Sequence, residues 1–352
     1  MVPWTVEFGC DVRPVPLDWL WPGYLARGKL ALLEGDPEMG KSLLSIDLMA
    51  RLSRGGPLAD GKALPRPGVS VLLSAEDDLG DTVLPRAEAA GADLLRLMLP
   101  RFAGRVPRFP DDLPALEDMV RDSGAELLVI DPLMAFLPPK VASGIDQCVR
   151  QALTPLAELA GRTRCAVLAV RHLTKKPADR AILRGQGSMG IVAAARTALF
   201  TAPHPDDAGL RVLSVAKSNV GARPPALGYR VGEAAGRPVI EWTGPVGLTA
   251  DGLCEKRKRS VELGARERVA DWLKRELAEG PRPAGAIYAA AAAAGIPERT
   301  LWRAKKEIPV KSHRAYDVKA NRSEWYWYDP DAPWPKKAPF SRPFELPPLG
   351  AI

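Results

Sequence analysis

The first two-thirds of the chain alternate short, continuously apolar runs with stretches of helical periodicity. The runs lie at residues 30–33, 69–73, 127–130, 165–170, 197–200 and 211–215. Continuous apolar runs are typical of strands that are buried on both faces, and helices between them favour parallel pairing. The pattern therefore predicts an α/β fold with a mostly parallel twisted sheet. Turns alone join the last two runs to apolar segments at 228–231 and 238–242, which predicts an antiparallel extension at one edge.

The last third of the chain has a different pattern. Glycines and a basic cluster at 244–259 interrupt the alternation, whereas helical periodicity resumes at 261–277, 284–294 and 298–308. Two aromatic segments near residues 316 and 326 then predict a hairpin. In chain order, the sequence predicts an entry segment (1–28), a core (29–243), a linker (244–260), a small helix-turn-helix or winged-helix domain (261–328) and a proline-rich disordered tail (329–352).

Composition excludes several classes of protein. The chain has no run of about 18 apolar residues, which argues against a membrane span, and its start lacks the pattern of a secretory signal. Its four cysteines are scattered without a C-x-x-C pair, so neither a disulfide framework nor a zinc site is expected. These features predict a cytoplasmic, reduced protein without a membrane partner.

The excess positive charge is concentrated near the C-terminus. Residues 1–250 carry 29 Lys and Arg against 28 Asp and Glu, whereas residues 251–352 carry 20 against 14. A basic terminal module beside a near-neutral core favours a polyanionic partner, most often nucleic acid. A basic tail that merely aids solubility is the alternative that charge alone leaves open.

A phosphate-binding loop follows the first apolar run. Residues 35–42 have the spacing G-x-x-x-x-G-K-S between that predicted strand and a helical segment at 43–52, which is the context this motif requires. Lys41 is expected to bridge the β- and γ-phosphates of ATP, and the Ser42 hydroxyl is expected to bind Mg²⁺. The predicted nucleotide-binding residues are Gly35, Asp36, Pro37, Glu38, Met39, Gly40, Lys41, Ser42 and Leu43.

Acidic residues end two of the later runs. The run at 127–130 leads into Asp131, a Walker B pattern in which this carboxylate holds the metal. The run at 69–73 leads to three successive acids, of which Glu76 lies nearest the predicted strand end. Because ligands of open α/β sheets bind at the carboxyl ends of strands, Glu76 is the predicted base that polarises the attacking water. The alternative role, capping the next helix, is predicted for Asp77 or Asp78.

In this order the motifs resemble those of RecA-like ATPases of the hexameric plasmid RepA-helicase type, which are related to DnaB-type replicative helicases. The resemblance covers roughly residues 19–231 and includes three further segments. Residues 171–175 resemble the sensor motif, 184–188 the end of the second DNA-facing loop, and 217–221 the element that reaches a neighbour's nucleotide. Glu38 departs from the expected glycine, and an acid beside phosphates is expected to point outward.

The resemblance implies a RecA-like P-loop NTPase core that works as a homo-oligomer, a hexameric ring. It implies that His172 reads the γ-phosphate and that Lys217 supplies positive charge in trans to a neighbour's γ-phosphate. Arg223 is a second candidate for that role in trans. The alternatives are a structural histidine and, for Arg223, a plain solvated cation.

The resemblance also implies two channel-facing loops, 132–145 and 174–186, that hold single-stranded DNA through its phosphates. Duplex DNA is the expected partner of the C-terminal module, because a basic helix there follows a tight turn. The predicted nucleic-acid contacts are Lys140, Lys175, Lys176, Arg180 and Arg184 in the loops, and Arg299, Arg303, Lys305 and Lys306 in the C-terminal helix.

These expectations combine into an ATP-hydrolysing DNA translocase or helicase of plasmid, phage or mobile-element replication, with ATP and Mg²⁺ as ligands. The alternative is a DNA-binding regulatory or loader ATPase that does not unwind. A small-molecule P-loop kinase is the third class, and the paired cationic loops argue against it.

Overall fold

The computed structural model of the chain describes residues 6–138, 146–173, 180–185, 189–317, 322–335 and 339. It divides into two compact units, Met1–Arg257 and Lys258–Ile352. Within the described residues no helix is both long enough and apolar enough to cross a membrane.

The first unit is built on one large sheet, whose strands lie where the apolar runs predicted them. A two-stranded hairpin, β1 (Trp19–Trp21) and β2 (Leu25–Ala26), precedes it. The strands of the sheet are β3 (Leu30–Gly35), β4 (Ser70–Ser74), β5 (Leu97–Met98), β6 (Leu127–Asp131), β7 (Ala166–His172), β8 (Thr197–His204), β9 (Asp207–Ser218), β10 (Ala226–Ala234) and β11 (Arg237–Val246). Their order across the sheet is β11-β10-β9-β8-β3-β7-β6-β4-β5.

Pairing in this sheet is mostly parallel. All pairs from β8 to β5 are parallel, and all pairs from β8 to β11 are antiparallel. The predicted mixed α/β fold and its antiparallel extension are therefore both found. The short strand β5 carries no apolar run long enough to have been predicted.

Helices cover both faces of the sheet, which explains why its strands are continuously apolar. They are α1 (Lys41–Arg54), α2 (Leu84–Ala89), α3 (Leu113–Ser123), α4 (Asp146–Thr163) and α5 (Met189–Ala194). Leu32 belongs to one buried cluster with Leu116 and Leu156 of α3 and α4, whereas the next residue, Leu33, belongs to another with Leu48 of α1. Alternate residues of one strand thus enter opposite cores.

Strand register aligns the ends from which the site is built. Gly35, the last residue of β3, pairs with His172, the last residue of β7. Ser74, at the end of β4, pairs with Asp131, at the end of β6. Because these strands run parallel, the segments that follow all of them emerge at the same edge of the sheet.

The second unit contains helices packed on a small antiparallel sheet. A long helix, α6 (Ala250–Glu276), leads into it, followed by β12 (Arg282–Pro283), α7 (Ala284–Ala293), α8 (Glu298–Glu307), β13 (Lys311–Asp317) and β14 (Arg322–Tyr328). The sheet order is β12-β14-β13. Leu273, Ile287, Leu301 and Trp327, from three helices and one strand, form its buried centre.

The segment 244–260, predicted as a linker, is helical from Ala250 onwards. Leu253 and Cys254 are each only 3% exposed and pack with Phe200 and Val212 of the first unit's sheet. Glycines and a basic cluster suggested irregular structure, but these two apolar side chains stabilise the start of α6. Of the predicted proline-rich tail, residues 329–335 and 339 are described, and the rest lies outside the described residues.

Candidate active site

The loop between β3 and α1 has the shape of a phosphate-binding loop. Gly35 must be glycine, because a Cβ there would lie 2.4 Å from Cγ2 of Thr201. Gly40 precedes α1 with a left-handed φ of 75°, a conformation that glycine adopts without steric cost. The first amides of α1 therefore face the loop, and a helix N-terminus of this kind binds anions.

Lys41 lies at the centre of this loop. Its side chain is 6% exposed, and its ammonium donates to the carbonyl oxygens of Gly35 at 3.0 Å and Asp36 at 2.8 Å. Burial lowers the pKa of Lys41, while the nearby carboxylates of Asp131 and Glu76 act in the opposite direction. The cation is thus held inside the loop beside two acids from neighbouring strands.

The hydroxyl of Ser42 and the carboxylate of Asp131 are hydrogen-bonded to each other. Burial raises the pKa of Asp131, the hydrogen bond from Ser42 lowers it, and repulsion from Asp77 and Glu76 raises it further. A hydroxyl oxygen and a carboxylate oxygen are both ligands that suit Mg²⁺. The pair therefore fits a magnesium ion, and a bound cation would relieve the repulsion among the acids.

Glu76 and His172 approach each other at the same edge. The distance from Nε2 of His172 to Oε2 of Glu76 is 3.7 Å, and Glu76 is 61% exposed at the side chain. Its neighbours have other contacts: Asp77 accepts from Arg86 at 2.9 Å, and Asp78 caps the following helical turn through the amides of Gly80 and Asp81. The predicted capping role thus falls to Asp78, which leaves Glu76 facing solvent.

Glu38 adopts a left-handed backbone conformation, with φ of 67°. Its side chain is exposed, as expected for an acid beside phosphates, as is that of Pro37. The next carbonyl, that of Met39, accepts a hydrogen bond from the hydroxyl of Tyr229 at 2.6 Å. Tyr229 lies on β10, is fully buried and also bonds to Thr201, so the antiparallel extension supports the loop from behind.

Arg184, a predicted DNA contact, is buried in an ion pair within its own chain. Its side chain is 4% exposed and forms a two-pronged ion pair with Asp36, with distances of 2.9 Å to Oδ1 and 3.3 Å to Oδ2. A cation in a glycine-rich loop looks solvent-exposed in a sequence. Here the guanidinium of Arg184 is buried because it pairs with Asp36 of the phosphate-binding loop.

A second buried ion pair lies beside the first. Arg171 and Glu34 face each other on the adjacent strands β7 and β3, with side chains 1% and 0% exposed. A Cβ at Gly185 would overlap the guanidinium of Arg171, so only glycine fits there. Residues 180–185 are therefore attached to the phosphate-binding strand at two adjacent points. The available signal in the sequence was that each of these charged residues directly follows an apolar run.

Lys217 has partners within its own chain. Its ammonium donates to the carbonyl oxygens of Val192 at 2.6 Å and Ala195 at 2.7 Å, at the C-terminal end of α5. In this contact the cation caps a helix end, and the role in trans stays a prediction. Arg223, the second candidate, lies in the loop between β9 and β10 and is exposed.

The remaining predicted nucleic-acid contacts divide into three groups. Lys140, Lys175 and Lys176 lie outside the described residues. Arg180 is exposed, and on α8 Arg299 and Lys306 are exposed while Arg303 is half-buried. Lys305 differs from its neighbours, because its ammonium donates to the hydroxyl of Ser312 and lies 4.2 Å from the ring centre of Trp327. The phosphate contact by Lys305 stays a prediction.

Comparison with known proteins agrees with this loop geometry. Residues 2–178 match the family model described as AAA domain, a span that covers half of the chain. No curated protein matches the chain. One solved structure, titled "ATPase Domain of G40P", has 13% identity and a TM-score of 0.45, with 60% of this chain and 85% of that chain covered. At that score the likeness adds nothing to the assignment. On the family match, the chain belongs to the AAA domain family.

Proposed function

We propose that the chain is an ATP-hydrolysing DNA translocase or helicase of RepA type that acts on single-stranded DNA as a ring. The observation that carries the ATPase part is the convergence of Lys41, Ser42, Asp131, Glu76 and His172 at one edge of the sheet. A phosphate-binding loop without such acids would support binding alone.

Each of these side chains has a chemical task in the proposal. The amides of the loop and the ammonium of Lys41 bind the β- and γ-phosphates of ATP. Ser42 and Asp131 hold Mg²⁺, which when bound neutralises charge on the phosphoryl oxygens. The exposed carboxylate of Glu76 orients and deprotonates the attacking water. His172, whose Nε2 lies 3.7 Å from that carboxylate, contacts the γ-phosphate in the proposal.

In the proposed ring, a neighbouring chain supplies a further cation to the nucleotide. The hydrogen bonds of Lys41 to the carbonyls of Gly35 and Asp36 place its ammonium inside the loop. The negative charge that builds up in phosphoryl transfer is usually stabilised by a further cation. Arg223, exposed on the loop between β9 and β10, is the proposed residue for that role in trans. Lys217 is not, because its ammonium already caps α5.

DNA contacts are proposed in both units. Exposed Arg180, together with Lys140, Lys175 and Lys176, would follow the phosphates of a single strand. In Lys258–Ile352 the order of elements, namely helix, strand, helix, helix, strand, strand, supports a winged-helix domain that presents α8 to duplex DNA. The same domain also favours the second candidate, a DNA-binding regulatory or loader ATPase without unwinding activity.

The test begins with ATP turnover. Glu76→Gln is expected to keep nucleotide affinity and to lower turnover by at least about 100-fold, in line with loss of a general base. Glu88→Gln, at an exposed position of α2, is the matched control and should behave as wild type. Normal turnover by Glu76→Gln would show that another group activates the water.

The nucleic-acid part is tested separately. Single-stranded DNA is expected to stimulate turnover, and Lys175→Ala/Lys176→Ala should abolish that stimulation, whereas Lys274→Ala/Arg275→Ala, which removes two exposed cations from α6, should not. Strand displacement with ATP then distinguishes a helicase from the regulatory alternative. If DNA leaves turnover unchanged, the translocase proposal is wrong.

A further inference from the structure

The second unit carries an exposed surface on which aromatic rings and cations alternate. We define this aromatic–basic surface by Trp302 and Lys305 of α8, Arg314 and Tyr316 of β13, and Trp325 of β14. Trp302, Tyr316 and Trp325 are 43%, 59% and 54% exposed. Large aromatic side chains at such exposure are uncommon unless a partner covers them.

Strand register places the hairpin residues on one face. Arg314 pairs directly with Trp325, and the neighbouring pairs on the same face are Ser312 with Trp327 and Tyr316 with Ser323. Those six positions include three aromatic rings and one arginine but no carboxylate. The hairpin's two acids, Glu324 and Asp317, pair with Ala315 and Arg322 at positions of the opposite face. The first face therefore favours anions and offers the exposed rings of Trp325 and Tyr316, whereas Trp327 is buried.

Helix α8 is fixed to the same face. The ring centre of Trp302 lies 6.0 Å from that of Trp327, which stands two residues beyond Trp325 on the same strand. The ammonium of Lys305 donates to Ser312 and lies over the rings of Trp327 at 4.2 Å and Trp302 at 5.2 Å. Helix and hairpin are thus held together before any ligand arrives.

Cations also border Trp302 along the helix. Arg299 and Lys306 lie three residues before and four residues after it, so both belong to its side of α8, and both are exposed. Protein interfaces also use Trp, Tyr and Arg, but their centres are depleted of lysine. Glu298, four residues before Trp302, is an exposed acid on the same side, so cations are in excess there without being alone. Rings flanked by an excess of cations are typical of sites for single-stranded nucleic acid, where bases stack and phosphates pair with cations.

We propose that the aromatic–basic surface binds single-stranded DNA, with bases stacked on Trp325 and Trp302 and a phosphate paired with Arg314. The inference rests on the proposed function for its choice of DNA, and it assigns the second unit a ligand other than the duplex. In the working protein this surface would hold a strand without needing nucleotide.

The test is fluorescence anisotropy of a labelled 15-nucleotide dT strand with the full chain, at fixed salt and without ATP. Since each stacked base contributes about 1–3 kcal/mol, Trp325→Ala and Trp302→Ala are each expected to raise Kd at least about 5-fold. Trp325→Phe should restore most of the affinity. Arg314→Ala should raise Kd and reduce the salt slope by about one. Phe8→Ala, at an aromatic side chain 75% exposed elsewhere, is the matched control.

Duplex and RNA arms separate the alternatives. A 15-base-pair duplex should bind Trp325→Ala as it binds wild type while responding to Arg299→Ala on α8. Wild-type affinity of both tryptophan variants for dT would overturn the proposal, as would a change in native mass without a change in DNA affinity, which would identify a protein interface. A matched RNA strand that binds more tightly than dT would overturn the assignment to DNA.

Failure of this inference and failure of the proposed function can be told apart. In the proposed function, stimulation of turnover by DNA depends on Lys175 and Lys176. Binding of DNA to the aromatic–basic surface depends on Trp302 and Trp325. If DNA affinity depends on the two tryptophans but DNA does not stimulate turnover, the aromatic–basic surface is supported and the translocase proposal is wrong. Stimulated turnover with unchanged affinity of the tryptophan variants would do the reverse.

Discussion

Glu38 is one of three described non-glycine residues whose backbone is left-handed. Its φ of 67° lies in the left-handed region, where a side chain with a Cβ costs about 1–2 kcal/mol. Glycine would avoid that cost, although it loses about 0.5–1 kcal/mol more conformational entropy on folding. The loop must therefore be held in shape by its contacts, such as that of Tyr229 with the carbonyl of Met39.

Glu38→Gly is accordingly expected to raise the free energy of unfolding by about 0.5–1 kcal/mol, measured by urea denaturation. It should also tighten ATP binding, because a negative charge near the phosphates is removed. Glu38→Gln separates the two effects: it should tighten binding while leaving stability unchanged. Glu88→Gly, in the helix α2, should instead lower stability by about 1 kcal/mol. Equal stability of Glu38→Gly and wild type would contradict the strain at this position.

Cys165 provides a second prediction at this scale. Burial raises the pKa of its thiol to about 12, whereas Cys10 is exposed. Because thiolate is the reactive form, maleimide at pH 8 should label Cys10 in the native protein and Cys165 only after unfolding, as read by peptide mass mapping. The raised pKa means that the contribution of Cys165 to stability is complete below about pH 9 and is lost as the pH rises towards 12. Rapid native labelling of Cys165 would show that its strand opens readily.

At the scale of elements, the contact between Arg184 and Asp36 joins two segments that the sequence separates by 148 positions. One belongs to the phosphate-binding loop and the other to the segment expected to face DNA. A rearrangement of either segment therefore changes the environment of the other.

Removing one partner of this pair, whose side chains are 4% and 14% exposed, weakens the compensation of the charge that remains. Arg184→Met and Asp36→Asn are each expected to lower the free energy of unfolding by about 3 kcal/mol, and the double variant by clearly less than their sum. The exposed pair Arg230–Asp207, with side chains 44% and 38% exposed, is the control and should contribute less than about 1 kcal/mol. Additive losses at Arg184 and Asp36 would mean that the pair does not couple the segments.

The elements themselves were predictable where burial on both faces leaves a continuous apolar run, as in β3, β6 and β7. The phosphate-binding loop was predictable because glycine spacing records backbone shape. The partners of Arg184 and Lys217 were not, since a cation in a loop has the same local pattern whether it meets solvent, an acid or a helix end. Only the fold decides which of these it reaches.

At the scale of the whole molecule, the end of the first unit lies further along the chain than its composition indicates. The predicted core ended at residue 243, but Ala250, Leu253 and Cys254 of α6 are buried against Phe200 and Val212. Fragment 1–257 should therefore fold and bind ATP with the affinity of the full chain. Fragment 1–243 should be less stable by about 3 kcal/mol or more, because those side chains are lost from the core. Urea denaturation of both fragments checks this, and equal stability would restore the earlier boundary.

The hydroxyl of Tyr229 has a consequence for protein engineering. It lies 190 positions from the loop carbonyl that it binds, and the ion pair of Asp36 reaches almost as far along the chain. Eight residues grafted from this loop into a foreign scaffold would carry the motif without these distant supports, and with a glutamate that resists the required turn. A transplant that keeps nucleotide affinity would have to include strands β3, β8 and β10 together with the 180–185 segment. In this protein the smallest segment set that can be moved with its phosphate-binding shape therefore includes part of the sheet as well as the short motif.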